Sequence, residues 1–198
     1  MAQAKTLTDK ELKRVMATVG TQRHAARNHT MLLLTHWAGM RVGEVAALKI
    51  KDVLSDDGTI RTEVLLKAEQ TKGHDARVVV LSEKLRNQIA YYLQYTYKTK
   101  DLVAVAYAAH PTKPLFYTQK SIGFTAASLT QYFFHLYRDA GFVNASSHSG
   151  RRTFITNLAN KGVGVRVLMA LASHKHISTT QRYIDCNDAM KRAAVELI

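Results

Sequence analysis

The sequence predicts a mainly α-helical chain with one small antiparallel β-sheet of about three strands. Three observations predict it. Apolar residues recur at helical spacing through most of the 198 residues. Two β-rich runs, Ile60 to Leu66 and Ala76 to Leu81, flank a polar segment that reads as a hairpin turn. No repeat, low-complexity stretch or Pro/Gly-rich linker divides the chain, so residues 1–198 read as a single domain.

The elements follow in order. Thr8-Asp9-Lys10-Glu11 is a capping-box start, and Leu12, Val15, Met16 and Val19 behind it share one helical face. A second helix runs from about Ala25 to Trp37 and ends at Gly39. A third passes through Glu44, Val45 and Leu48. Lys51 to Ser55, ahead of Gly58, is the expected third strand. Glu69 to Asp75 is the turn of the hairpin. Ser82 to Lys84 opens a helix carrying Leu85, Ile89, Tyr92 and Leu93. Asp101 to Thr118, which holds both prolines, is the least regular stretch. Helical patterns return over Ala126–Ala140, Ser149–Lys161 and Val165–Ala172. Ser178 or Thr179 is placed to cap a short helix bearing Tyr183, and Met190, Ala194 and Leu197 form a last amphipathic segment.

Bulk composition narrows the function. At 46% hydrophobic the chain is no disordered tail. Its longest apolar stretch, Met31 to Leu34 resuming at Trp37, is far short of the roughly 20 residues that span a bilayer. The first residues lack the apolar core of a secretory signal, so a soluble, cytoplasmic protein is expected. The single cysteine, Cys186, excludes an internal disulfide framework and a cysteine-cluster zinc site. The net charge of +13 points to an anionic partner, of which nucleic acid is the usual one.

Three separated segments carry candidate chemistry. In Gly39-Met40-Arg41-Val42-Gly43-Glu44, Arg41 and Glu44 are one helical turn apart. In His148-Ser149-Gly150-Arg151-Arg152, His148 and Arg151 stand three apart at a helix start, where backbone N–H groups favour an anion. The third segment runs from His174 to Tyr183. Singly, each has a plain structural explanation: a solvated ion pair, surface or capping histidines, a half-buried tyrosine. His174 and His176 lack a third ligand at metal-binding spacing, so no metal is expected.

Together the segments resemble the tyrosine recombinase and phage integrase family over nearly the whole chain. Ala38 to Val45 looks like its first arginine box and gives Arg41; His148 to Arg151 looks like its second. Leu171-Ala172-Ser173-His174, followed by Ile177 to Tyr183, resembles the segment that ends in the nucleophile. Gln70-Thr71-Lys72-Gly73, with Arg77 to Leu81 behind it, is similar to the family's lysine-bearing β-turn. The resemblance implies the tyrosine recombinase catalytic-domain fold. Arg41 and Arg151 would clamp the non-bridging oxygens of a phosphodiester, and His174 would add a hydrogen bond. Tyr183 would attack phosphorus to leave a 3′-phosphotyrosine. Lys72 would protonate the departing 5′ oxygen, His148 would assist proton removal from the tyrosine, and Glu44 would orient Arg41. Because the phosphotyrosine conserves the bond energy, neither cofactor, ATP nor metal is implied.

Two positions depart from the family pattern: Ser173 where glycine is common before the histidine, and Arg152 where histidine often follows the second arginine. Only about 40 residues precede Arg41. The family's N-terminal core-binding domain is therefore expected to be absent, either by truncation or in a natural short form. The fimbrial phase-switch invertases have the latter build, and His24-Ala25-Ala26-Arg27-Asn28 looks like their N-terminal region. The implied partner is double-stranded DNA carrying inverted-repeat recombination sites, bound by a homotetramer on paired sites and by a monomer otherwise. The apolar tail, with Met190, Ala193, Ala194 and Leu197, could dock on a neighbouring copy or on its own core. The implied setting is a bacterial or phage-encoded, nucleoid-associated recombinase. A type IB topoisomerase and a non-catalytic DNA-binding regulator are the alternatives. The regulator gives no reason for Arg41, Lys72, His174 and Tyr183 to coexist.

Overall fold

The structure, a computed structural model, describes residues 3–71, 75–120, 123–184, 192, 195 and 196. Lys72, Gly73, Cys186, Met190, Ala193, Ala194 and Leu197 lie outside the described residues. Helix α1 (Asp9–Gly20) starts as expected: the Thr8 hydroxyl accepts from the Glu11 N–H at 3.3 Å, and the Glu11 carboxylate accepts from the Thr8 N–H at 2.8 Å. Helix α2 (Ala25–Trp37) is the central element. Its consecutive apolar residues Met31 to Leu34 are all buried, because α1, α5 (Glu83–Tyr97) and α8 (Ser149–Asn160) pack around it.

Gly39 ends the run of α2 in the left-handed region, at φ +62°. Glycine is required there twice over, since a Cβ would also lie 2.5 Å from the Phe154 ring. Helix α3 (Val42–Ala47) follows at once and packs on α7 (Ala126–Asp139).

The sheet has two strands, β1 (Glu63–Leu66) and β2 (Arg77–Val80), antiparallel with Leu66 opposite Arg77. The expected third strand is instead helix α4 (Ile50–Val53) followed by a single bridge from Leu54 to Ile60. Asp52 decides this locally. Its carboxylate accepts from the Lys49 N–H at 2.8 Å and from Gln70 Nε2 at 2.8 Å, fixing a helical turn where β-propensity alone favoured extension.

The stretch from Asp101 to Thr118, expected to be the least regular, contains helix α6 (Leu102–Ala108). The Asp101 carboxylate caps it by accepting from the Ala104 N–H, and Val105 and Ala106 are buried. Helices α9 (Val165–Ala172) and α10 (Ile177–Gln181) complete the described fold. Neither Ser178 nor Thr179 caps α10. His176 holds that position without a side-chain bond, and Tyr183 stands two residues beyond the helix. Among the described residues no helix is long and apolar enough to cross a membrane.

Candidate active site

Arg41 caps α3 from outside, and its geometry is set by Glu44. The Arg41 N–H donates to one Glu44 oxygen at 2.8 Å and its Nη1 donates to the other at 2.8 Å. Glu44 is buried, 1% exposed, whereas the Arg41 side chain keeps about a third of its surface open. Such a buried carboxylate needs compensation. Arg77, at the start of β2, supplies it: Nε and Nη2 donate to the two Glu44 oxygens at 3.1 and 2.7 Å. Burial pushes the Glu44 carboxyl up, but Arg77 and Arg41 outweigh burial and hold it below its ordinary range.

Arg151 sits in the first turn of α8, deeply buried. Gly150 beside it allows α8 to press against α2, because a Cβ there would lie 2.1 Å from Thr35 Oγ1 and 2.6 Å from Thr35 Cβ. Arg151 Nη1 donates to the Gly39 carbonyl at 2.7 Å, and Nη2 donates to the Ala172 carbonyl. The two arginine segments are thus tied to each other and to the end of α9. Burial, then the charges of Arg41 and Arg77, bring the Arg151 guanidinium down to about 9, so it remains a cation at neutral pH.

Past α9 the chain turns through Ser173 in the left-handed region (φ 48°), the position where the family pattern has glycine. The residue differs but the turn is made. His174 follows, 9% exposed, with Nδ1 2.9 Å from Thr180 Oγ1. Burial, then Arg151, Arg41 and Arg77, lower its imidazole to about 4, so it is neutral at pH 7. The Tyr183 N–H donates to the Thr180 carbonyl at 3.0 Å. The Tyr183 ring stacks on His174, centroids 5.7 Å apart and 20° between planes. The Arg152 guanidinium lies 5.4 Å from the same ring, so the second departure from the family pattern also places a cation at the site.

Arg41, His148, Arg151, Arg152, His174 and Tyr183 line one cleft of about 820 Å³. Five of the six expected catalytic residues therefore converge, and the sixth, Lys72, is outside the described residues. Arg182 lines the same cleft, Arg41 and Arg77 share the one Glu44 carboxylate, and the excess of guanidiniums makes the cleft fit for an anion. Among the described residues no group of three or more His, Cys, Asp or Glu could hold a metal ion. Sequence reasoning missed Arg77 and Thr180 as parts of the site. Arg77 left a readable trace: the alternation of β2 puts it on the inward face with Val79, an improbable position for a charge without a partner. Thr180 left none, since its role depends on how the chain folds back on His174.

The phage integrase family profile matches residues 5–190. The chain is 28% identical over 179 residues to the tyrosine recombinase XerA of Thermococcus kodakarensis, covering 90% of this chain and 57% of that protein. It is 27% identical over 162 residues to the tyrosine recombinase XerD of Rickettsia bellii, covering 80% and 51%. The chain thus spans about half to three-fifths of the curated relatives it matches. Among solved structures, the XerA recombinase superposes with a TM-score of 0.74 at 21% identity, covering 100% of this chain and 66% of that one. The XerH site-specific recombinase bound to palindromic difH substrate, in a post-cleavage complex, gives 0.71 at 23%, covering 96% and 51%. These structures share the fold, and the sequence match over residues 5–190 carries the assignment: the chain belongs to the phage integrase family, the tyrosine recombinases.

Proposed function

We propose that this chain is the catalytic domain of a site-specific DNA recombinase that breaks and rejoins strands through Tyr183. The observation that carries this reading is the convergence of Arg41, Arg151, His174 and Tyr183 on one cationic cleft from three separate segments. A phosphodiester resists attack because its charge repels nucleophiles and its alkoxide leaves poorly. Arg41 and Arg151 bind the non-bridging oxygens and stabilise the charge that builds on them. Thr180 holds Nδ1 of a neutral His174; in the tautomer in which the Thr180 hydroxyl donates to Nδ1, Nε2–H donates to the same oxygens.

The Tyr183 oxygen forms the new bond to phosphorus and its proton passes toward His148. The bond to the 5′ oxygen breaks, and Lys72 delivers the proton that the departing oxygen needs. A 3′-phosphotyrosine and a free 5′-hydroxyl result, and the reverse reaction with another strand's 5′-hydroxyl rejoins the DNA. The chain's own residues account for each proton and charge, without ATP or metal in any step. By extension, the substrate is duplex DNA with inverted-repeat sites, the assembly on paired sites is a homotetramer, and the setting is the bacterial or phage-infected cytoplasm, at the nucleoid. The domain acts as one catalytic unit over residues 1–198.

Covalent trapping tests the reading. A binding site is first selected from a randomised duplex pool with the Tyr183→Phe chain. Wild type and Tyr183→Phe are then incubated with a nicked duplex carrying that site, without metal or ATP. An SDS-resistant protein–DNA adduct that requires Tyr183 is expected. Binding without any adduct would overturn the catalytic role and leave a DNA-binding regulator.

A further inference from the structure

We propose that Arg77 is a positioning residue of this site, holding Glu44 so that Arg41 is aligned and keeps its positive field. The inference rests on the recombinase reading above. Arg77 is among the most enclosed charges described, with its side chain only 4% exposed. The hydrogen bonds of its side chain go to parts of the site. Two go to Glu44, as described, and Nη1 donates to the Leu171 carbonyl at 3.1 Å.

Leu171 and Ala172 are the last residues of α9, and their carbonyls are taken by Arg77 and Arg151 respectively. A helix C-terminus leaves such carbonyls without intrahelical partners and carries partial negative charge, so it receives both guanidiniums well. Arg77 therefore joins three elements at one point: α3 through Glu44, the end of α9 that leads into His174, and β2, five residues after Lys72. One more contact spans the same gap, since Lys175 pairs with Asp75 at 2.6 Å on the surface.

The charge balance gives Arg77 a second effect. Glu44 alone beside Arg41 would make a neutral pair and cancel the field that an anion in the cleft would feel. Sharing the carboxylate between two guanidiniums leaves the triad at +1. Each Glu44 oxygen accepts one bond from each arginine, so neither arginine can rotate about the carboxylate independently of the other. Lysine cannot replace this fork, because an ammonium is a point charge that cannot bond both oxygens and Leu171 in one plane.

The test separates positioning from stability and from DNA binding. Arg77→Lys and Arg77→Gln are compared with wild type for thermal midpoint, for affinity to the selected duplex, and for the single-turnover rate of covalent adduct formation on the nicked form. Both variants are expected to fold and to bind within about threefold of wild type. Adduct formation is expected to slow about tenfold in the lysine variant and about a hundredfold in the glutamine variant, the size that small misplacements of reacting groups produce. Adding Glu44→Gln to Arg77→Gln is expected to lessen the second loss, because no carboxylate then neutralises Arg41.

Adduct formation at the wild-type rate in either folded variant would overturn the proposal, as would strictly additive effects in the double variant. Loss of the fold with the lysine substitution would also overturn it and assign Arg77 to stability alone. If wild type itself forms no Tyr183-dependent adduct, the recombinase reading fails instead, and the two failures are told apart by that control.

Discussion

The imidazole of His174 lies nearly parallel to the phenol ring of Tyr183, and the same imidazole is pinned from behind by the hydroxyl of Thr180. Thr180 is fully buried and its carbonyl also accepts the Tyr183 N–H. One residue thus holds both the imidazole of the histidine and the backbone of the tyrosine.

Removing only the hydroxyl separates these roles. Thr180→Val is expected to slow adduct formation by about tenfold, the lower end of the loss usual when a histidine's orienting partner is removed. Thr180→Ser is expected to restore most of it. Nitrogen-15 chemical shifts of His174 report the tautomer directly. A valine variant with unchanged shifts and unchanged rate would sink the assignment.

Acid sensitivity follows from two buried histidines. His36, 4% exposed and bonded through Nε2 to the Tyr137 hydroxyl, is held down to about 3 by burial, and His174 to about 4 by burial and the neighbouring arginines. In the unfolded chain both take up protons as pH falls through about 6.5, whereas the folded chain resists until about 4 and below. Stability is therefore at its full value above about pH 6.5 and falls as pH drops toward 4. His36 alone contributes a loss on the order of a few kcal/mol across that window. Urea midpoints measured from about pH 7.5 to 4.5 are expected to fall steeply in wild type and more gently in His36→Gln, which keeps a polar partner for Tyr137 but does not titrate.

The seam between α2 and α8 has no room for a methyl group at Gly150. Gly150→Ala sets a Cβ against Thr35 Cβ, which no rotation of the threonine relieves. Overpacking of this kind costs about 1–3 kcal/mol, and α8 must shift to relieve it. Because Arg151 is the next residue, adduct formation is expected to fall beyond what the stability loss explains. Thermal melting and single-turnover cleavage at a temperature where the variant is folded check both parts. A variant with the wild-type rate and stability would show that the seam is looser than its geometry.

Ser173 carries the opposite opportunity. A non-glycine residue in the left-handed region is strained by roughly 1 kcal/mol, only partly offset by the weak 3.4 Å bond from its hydroxyl to the Ala170 carbonyl. Ser173→Gly relieves the strain but loosens the unfolded chain, so a net gain of about 0.5 kcal/mol is expected, with cleavage unchanged. Chemical denaturation decides it. A loss of stability would mean that the serine side chain does more than turn the chain.

The sequence by itself determined the helices with strong local signals. The Thr8 capping box, the Ala25–Trp37 run closed by Gly39, and the Val165–Ala172 periodicity all fold where their own side chains direct. It also marked the candidate reacting groups, because two arginine boxes and a histidine–tyrosine segment stand in the order on which the family resemblance rests. Elements settled by distant partners were another matter. Asp52 turned an expected strand into α4 by bonding Gln70, and α6 emerged where buried Val105 and Ala106 reward a helix too short to announce itself.

Only the tertiary structure decided how the site is held. Arg77 meets Glu44 across 33 positions of chain, Arg151 reaches Gly39 across 112, and Thr180 closes on His174 through a turn that α10 makes. The reason is physical. A carboxylate or guanidinium can be buried only where its counterpart arrives, and periodicity along one segment says nothing about what another segment delivers to the same point.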